Sequence, residues 1–241
     1  MDTFPVFKDF LVGFLMPEKC YEEFFVHLHL HAPCLKFVLN KVLGFWIILD
    51  TFLAQLPQLL KILWRRSSEG LSLSSFLLQL YAFSCPAVYA VANKFPFFAW
   101  ADRLLTLPQT AAIVFLILHY RGETLRGLLL LLGFAGVMFL LASYAAAAVV
   151  SLMEASSVAA LITSKVIQAA TNYHNGHTGH LSTVSLFLMW MGSLGVAAVS
   201  LQNDGSLVGL SHVLSSCLSS VLLYQVLFYT SGMTTDAKKR D

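Results

Sequence analysis

Leu56-Pro57-Gln58-Leu59-Leu60-Lys61-Ile62, followed by Arg65-Arg66-Ser67-Ser68-Glu69-Gly70-Leu71-Ser72, decides how the rest of this sequence is read. Pro57 lies inside an apolar run, where a proline removes a backbone donor and crowds the preceding turn, so the helix is expected to bend or break there. In lipid the carbonyls freed by such a break need partners inside the protein or in a watered cavity, which ties broken spans to transport pathways. The break therefore carries two readings, a pathway and a plain structural kink. Gln58 sits beside it and Lys61 one turn later.

Composition sets the class. The 241 residues are 57% apolar and 12% charged, with a mean hydropathy of +0.72, which excludes an ordinary soluble globule and points to a polytopic helical membrane protein. Net charge is +2, and the basic residues are spread over short loops instead of one face, so nucleic acid is not an expected partner.

Residues 1–36 interleave Phe4, Phe7, Phe10, Leu11, Phe14 and Leu15 with Lys8 and Asp9, then reach Glu18-Lys19-Cys20-Tyr21-Glu22-Glu23. They read as an interfacial amphipathic segment or a disordered leader, with no removable signal peptide. Seven apolar segments follow, at about 37–60, 71–92, 97–118, 125–145, 147–169, 182–202 and 207–230. Lys61, Arg65, Arg66, Arg121, Arg126 and Lys165 fall in or beside the loops after spans 1, 3 and 5, against Lys94 and Arg103 in the others. The positive-inside rule then places the odd loops and the C-terminus in the cytoplasm and the N-terminal segment on the opposite side.

Two stretches share one plan. Gln58 to Gly70 and Gln168 to Gly179 each leave a span at a glutamine, cross a polar turn ending in glycine, and enter the next span at a Ser/Thr-rich start able to cap free amides. In this alignment Gly70 matches Gly179, and Gln58 matches Gln168 with one residue deleted. Spans 1–3 and 5–7 become parallel copies, giving an expected all-α fold of seven transmembrane helices in a 3+1+3 arrangement. The boundaries are a first repeat at 37–118, a linker helix at 119–146, a second repeat at 147–230 and a tail at 231–241. Val166-Ile167-Gln168 lacks the second proline.

The Leu-Pro-Gln with its downstream Ser-x-Glu-Gly-Leu-Ser resembles the PQ-loop membrane proteins, a group that includes lysosomal amino-acid exporters and is related to the sugar-conducting SWEET transporters. Within that group Ala169-Ala170-Thr171-Asn172-Tyr173-His174-Asn175-Gly176-His177-Thr178-Gly179, with Pro17-Glu18-Lys19-Cys20-Tyr21 and His119-Tyr120-Arg121-Gly122, is similar to members serving dolichol-linked sugars. That resemblance covers nearly the whole chain. It implies an endoplasmic reticulum protein needed for lumenal use of dolichol-phosphate mannose and dolichol-phosphate glucose, with polyprenyl-phosphate sugars and glycosyltransferases as expected partners.

The candidate pathway residues are Asp50, Gln55, Pro57, Gln58, Lys61, Gln168 and Asn172, with Glu154 and Gln79 beside them, since intramembrane polar and charged groups are costly. Lys61, Arg65 and Arg66 either bind a lipid phosphate or simply record topology. Asn172 reaches a ligand or caps a helix end. His174, His177 and His180 recur every third residue but lack a nearby carboxylate or cysteine and read as a turn, so no metal is expected. Nucleophile motifs, spaced carboxylate pairs and phosphate-cradling loops are missing from the sequence, which reads as a non-enzyme without a cofactor. Cys20 and Cys34 share the segment assigned to the oxidising lumen and are expected to pair. The final Lys238-Lys239-Arg240-Asp241 resembles a Lys-Lys-x-x retrieval tail.

Overall fold

A computed structural model describes residues 5–29, 31–97, 100–101, 103–203 and 207–238. The chain is an all-α polytopic membrane protein; among the described residues seven helical segments are long and apolar enough to cross a bilayer. It divides into two compact units, residues 1–49 and 50–241.

The first unit holds α1 (Pro5–Phe14), α2 (Glu18–Tyr21) running into a π-helical turn (Glu22–Val26), and most of α3 (Ala32–Leu53). Cys20 and Cys34 are joined by a disulfide with Cα atoms 5.4 Å apart, packed with Leu11 and Met16. Lys8 reaches Glu18 at 3.1 Å and lies over the Tyr21 ring. The first span starts at Ala32, earlier than the residue 37 expected from hydropathy.

The second unit takes the end of α3 from Asp50, then α4 (Leu56–Arg65), α5 (Leu73–Ala92), α6 (Arg103–Tyr120), α7 (Thr124–Tyr144), α8 (Ala147–Asn175), α9 (Thr183–Asn203) and α10 (Leu207–Lys238). The expected segment 37–60 is thus two helices, interrupted at Ala54 and Gln55, with Pro57 in the first turn of α4, where its missing N–H has no helical partner to lose. α8 runs unbroken through Ile167, the position equivalent to Pro57. One proline makes the difference between the two first helices.

Neither glutamine lies at a span exit. α4 and α8 both continue past Gln58 and Gln168, to Arg65 and Asn175, and both close on a left-handed residue, Arg66 (φ 50°) and Gly176 (φ 69°). Asn172 is accordingly inside α8 and caps nothing.

The two repeats superpose in sequence by a constant shift: Gln55 on Lys165, Gln58 on Gln168, Leu71 on Leu181, Ser72 on Ser182 and Ser75 on Ser185. No residue is deleted, so Gly70 corresponds to His180, and the alignment of Gly70 with Gly179 is corrected. The packing follows the same symmetry. α5 lies chiefly against α8, and α4, packed mainly on α6, also meets α9, so each first helix meets the second helix of the other repeat, while α6 and α10 each pack on both helices of their own. Ile62, Leu71, Phe76, Ile113, Ile117, Leu181, Leu186 and Leu222 form the shared core. Apolar side chains such as Leu129, Leu132, Phe139 and Leu140 on α7 point outward, as expected where lipid is the solvent.

Candidate functional site

The two polar turns meet backbone to backbone. Gly70 (φ 80°) and Gly179 (φ 52°) both sit in the left-handed region, and a Cβ built on Gly70 would lie 2.7 Å from Thr178 O and 2.8 Å from Gly179 Cα. On Gly179 a Cβ would run into Glu69 O. His180 N–H donates to that same Glu69 oxygen at 2.9 Å. Glycine is needed twice here, for its conformation and for the close approach.

Each repeat's glutamine then binds the other repeat's turn. Gln58 Nε2 donates to His180 O at 3.2 Å, and its Oε1 accepts from Ser182 N–H at 2.6 Å. Gln168 Nε2 donates to Gly70 O and its Oε1 accepts from Ser72 N–H, both at 3.0 Å. Ser72 and Ser182 also cap their own helices, accepting from Ser75 N–H and Ser185 N–H at 3.4 Å. Gln58 N–H, left without a helical partner by the break, donates to Ser185 Oγ at 2.8 Å, while the equivalent Ser75 hydroxyl donates to Ser164 O at 2.8 Å.

Cations seal the same layer. Lys61 Nζ donates to Leu181 O at 2.7 Å and Arg121 Nη2 to Leu71 O at 2.9 Å, so equivalent carbonyls each receive a basic side chain. Arg65 and Arg66 are exposed beside them. Burial, and then the charges of Lys61 and Arg65, push the His180 imidazole below its usual range, with Glu69 opposing. His177 Nε2 stands 4.0 Å from Glu69 Oε1. Among the described residues no three His, Cys, Asp or Glu side chains converge as metal ligands would.

Inboard of this clasp is a cavity of about 40 Å³, room for a few waters, lined by Gln55, Gln58, Gln79, Lys165, Gln168 and Ser219 among Phe76, Phe83, Leu161, Leu186 and Met189. Gln55 donates from Nε2 to Gln79 Oε1 at 3.4 Å and touches Met189 Sδ at 3.9 Å. Asn172 is wholly buried in a chain linking the repeat's own helices: it accepts from Gln168 Nε2 at 2.9 Å and donates to Gln225 Oε1 at 3.0 Å.

Lys165, expected in or beside a loop from the charge pattern, instead sits inside α8, buried, with Nζ bonded to Ser215 and Ser219 of α10. Its position on one face with Glu154, Ser157, Gln168 and Asn172 is legible as a stripe at i, i+3/i+4 spacing, polar except at Leu161. Asp50 lies at the end of α3, against Gly192 of α9, and its Oδ1 is buried with no hydrogen-bond partner among the described residues. Glu154 Oε2 is in the same condition. Lys238 ends α10, its side chain undescribed, and Lys239 lies outside the described residues.

Residues 39–99 match the PQ loop repeat model, a stretch that takes in the broken first span, the glutamine turn and all of α5. The match supports a place among the PQ-loop membrane proteins, for the part of the chain that carries Pro57 and Gln58.

Proposed function

We propose that this chain handles polyprenyl-phosphate sugars, dolichol-phosphate mannose and dolichol-phosphate glucose, for lumenal glycosylation, either flipping the headgroup between leaflets or presenting the lipid to transferases, with no bond-making chemistry of its own. The observation that carries this reading is a small cavity between the two repeats, mostly apolar in its wall but with Gln55, Gln58, Gln79, Lys165 and Gln168 set into it, and bordered by the reciprocal glutamine bonds. The match to the PQ loop repeat supports a transporter-like membrane protein, and the sequence 169–179 looks like that of the mannose-phosphate-dolichol utilization defect 1 protein. Flipping is tested with purified chain in liposomes and a short-chain dolichyl-phosphate-mannose analogue. Transfer no faster than in empty liposomes rejects it, and stable co-purification with glycosyltransferases in mild detergent would favour presentation or a chaperone role instead.

The reading includes an address. Residence in the endoplasmic reticulum, an N-terminus in the lumen and a cytoplasmic Lys238-Lys239 tail belong together, since the retrieval signal is read only from the cytoplasm. Moving Lys165 into the membrane leaves Lys61, Arg65, Arg66, Arg121 and Arg126 on the cytoplasmic side of that count. Replacing Lys238 and Lys239 with Ser should release protein to later compartments, and protease protection of a C-terminal tag in sealed microsomes would refute the topology.

A second reading is favoured by Asp50. A buried carboxyl oxygen without a partner suits a proton carrier, which would make this a proton-coupled exporter of a small polar solute. That version requires pH-driven uptake lost in Asp50→Asn.

A further inference from the structure

The first span is longer than a bilayer requires. The stretch Ala32–Arg65 has 34 residues, whereas about 20 cross a hydrocarbon core, so roughly fourteen, or about 20 Å at the α-helical rise, are surplus. The surplus lies at the Ala32 end. Lys36, Asn40 and Lys41 are exposed on α3, and an exposed lysine is costly at hydrocarbon depth but matched by lipid phosphates at the surface. Leu35, Phe37 and Leu39 are exposed between them, the mixture an interfacial helix carries. The first turns of α3 therefore stand in the headgroup layer.

The disulfide-linked unit is built on those same turns. Cys34 and Val38 of α3 pack with Leu11, Met16 and Cys20, which holds the unit at headgroup depth. Outside this core the end of the π-helical turn is apolar and bare. Val26 is 64% and Leu28 84% exposed, and Phe25, stacked on Tyr21, is half-exposed. Leu28 has a φ of 51°, a left-handed conformation that helix ends usually give to glycine and that is costly for leucine. His27 N–H donates to Glu22 O at 2.9 Å and His29 N–H to Glu23 O at 2.8 Å, so the backbone is fixed on either side of Leu28. In water a leucine held out in this way gains nothing; among acyl chains it is buried. Leu28 is four residues from Ala32, hence within about 14 Å of the first turn of α3.

We propose that residues 25–28 form a membrane-surface anchor: Val26 and Leu28 enter the boundary between headgroups and acyl chains in the leaflet where α3 begins, and Lys36 and Lys41 bind phosphates of the same leaflet. The occupant is phospholipid because the patch continues the lipid-exposed surface of α3 and adjoins two lysines that suit phosphate. The Cys20–Cys34 bridge ties the tip to the span and so sets its depth. Such an anchor serves whatever cargo the two repeats carry.

The test uses the full chain in nanodiscs of phosphatidylcholine and phosphatidylserine, with p-benzoylphenylalanine replacing Leu28, exposed Lys19 or lipid-facing Leu132 in turn, and radiolabelled phospholipid as the crosslinking target. Lipid crosslinking from position 28 should exceed that from position 19 by roughly fivefold or more and approach that from position 132. A yield at 28 no higher than at 19 overturns the anchor. If the Leu28 variant elutes unlike the parent, replacement of Val26 decides by the same comparison. Lys36→Gln/Lys41→Gln should lower the yield at 28 about twofold or more and leave position 132 unchanged. An unchanged yield at 28 overturns the lysine contact. In membranes of the expressing cell the probe at 28 should again label phospholipid; labelling of a protein in its place would make the patch a protein-docking surface and overturn the lipid assignment.

Discussion

Gln58 and Gln168 each hold the other's repeat: the amide of one closes on His180 O and Ser182 N–H, the amide of the other on Gly70 O and Ser72 N–H. A side-chain amide suits this task because it offers a donor and an acceptor in one plane, matching a carbonyl and an N–H two residues apart on a turn. The consequence is a joint whose two halves fail together.

Replacing either glutamine with Leu removes both bonds and strands a buried N–H and C=O. Gln58→Leu should lower unfolding stability in detergent by about 2–4 kcal/mol, with Gln168→Leu similar. Because the two share one joint, the double variant should lose less than the sum of the singles, a non-additivity readable from thermal unfolding of all four proteins. Strict additivity would show that the bonds act separately.

The two turn glycines should be intolerant where others are not. Gly70→Ala and Gly179→Ala combine a left-handed backbone with a Cβ driven into the opposing turn, and neither neighbour can retreat because both contacts are backbone. Well-folded protein should be largely lost on size-exclusion chromatography. Gly122→Ala, at φ 82° with nothing within 4 Å, pays only the conformational penalty, about 1 kcal/mol, and should remain monodisperse.

Arg66 closes α4 at φ 50°, where Gly176 closes α8. Arg66→Gly should therefore stabilise the protein by about 1 kcal/mol in thermal unfolding. A loss of stability of that size would mean the Arg66 side chain makes a contact that outweighs the backbone strain.

The Cys20–Cys34 bridge closes a short loop, with a sequence separation of 14. Opening it should cost the first unit about 3 kcal/mol. Limited proteolysis of a Cys20→Ser/Cys34→Ser variant should cut within residues 17–34 far faster than in the parent, while the second unit resists as before. Equal resistance would assign the unit's stability to Leu11, Met16 and their neighbours alone.

What the sequence by itself determined is what local physics decides. Apolar length marked seven spans, Pro57 marked the interruption after Leu53, Ser72 and Ser182 announced their helix starts, and the similarity of the two glutamine stretches was visible from their order of polar and apolar residues. What stayed hidden depends on partners far along the chain. Whether a lysine in an apolar segment belongs to a loop or to a core is set by what surrounds its Nζ, and for Lys165 that is Ser215 and Ser219, fifty and more residues away. The repeat register was hidden for the same reason: two glycines look equivalent in an alignment, but it is the serine caps and glutamine bonds that define the symmetry, and these make Gly70 the equivalent of His180. That Gln55 Oε1 is buried with no hydrogen-bond partner among the described residues has no sequence signature at all, because a missing partner is a property of the packed interior, decided only when α5, α8 and α9 have closed around it.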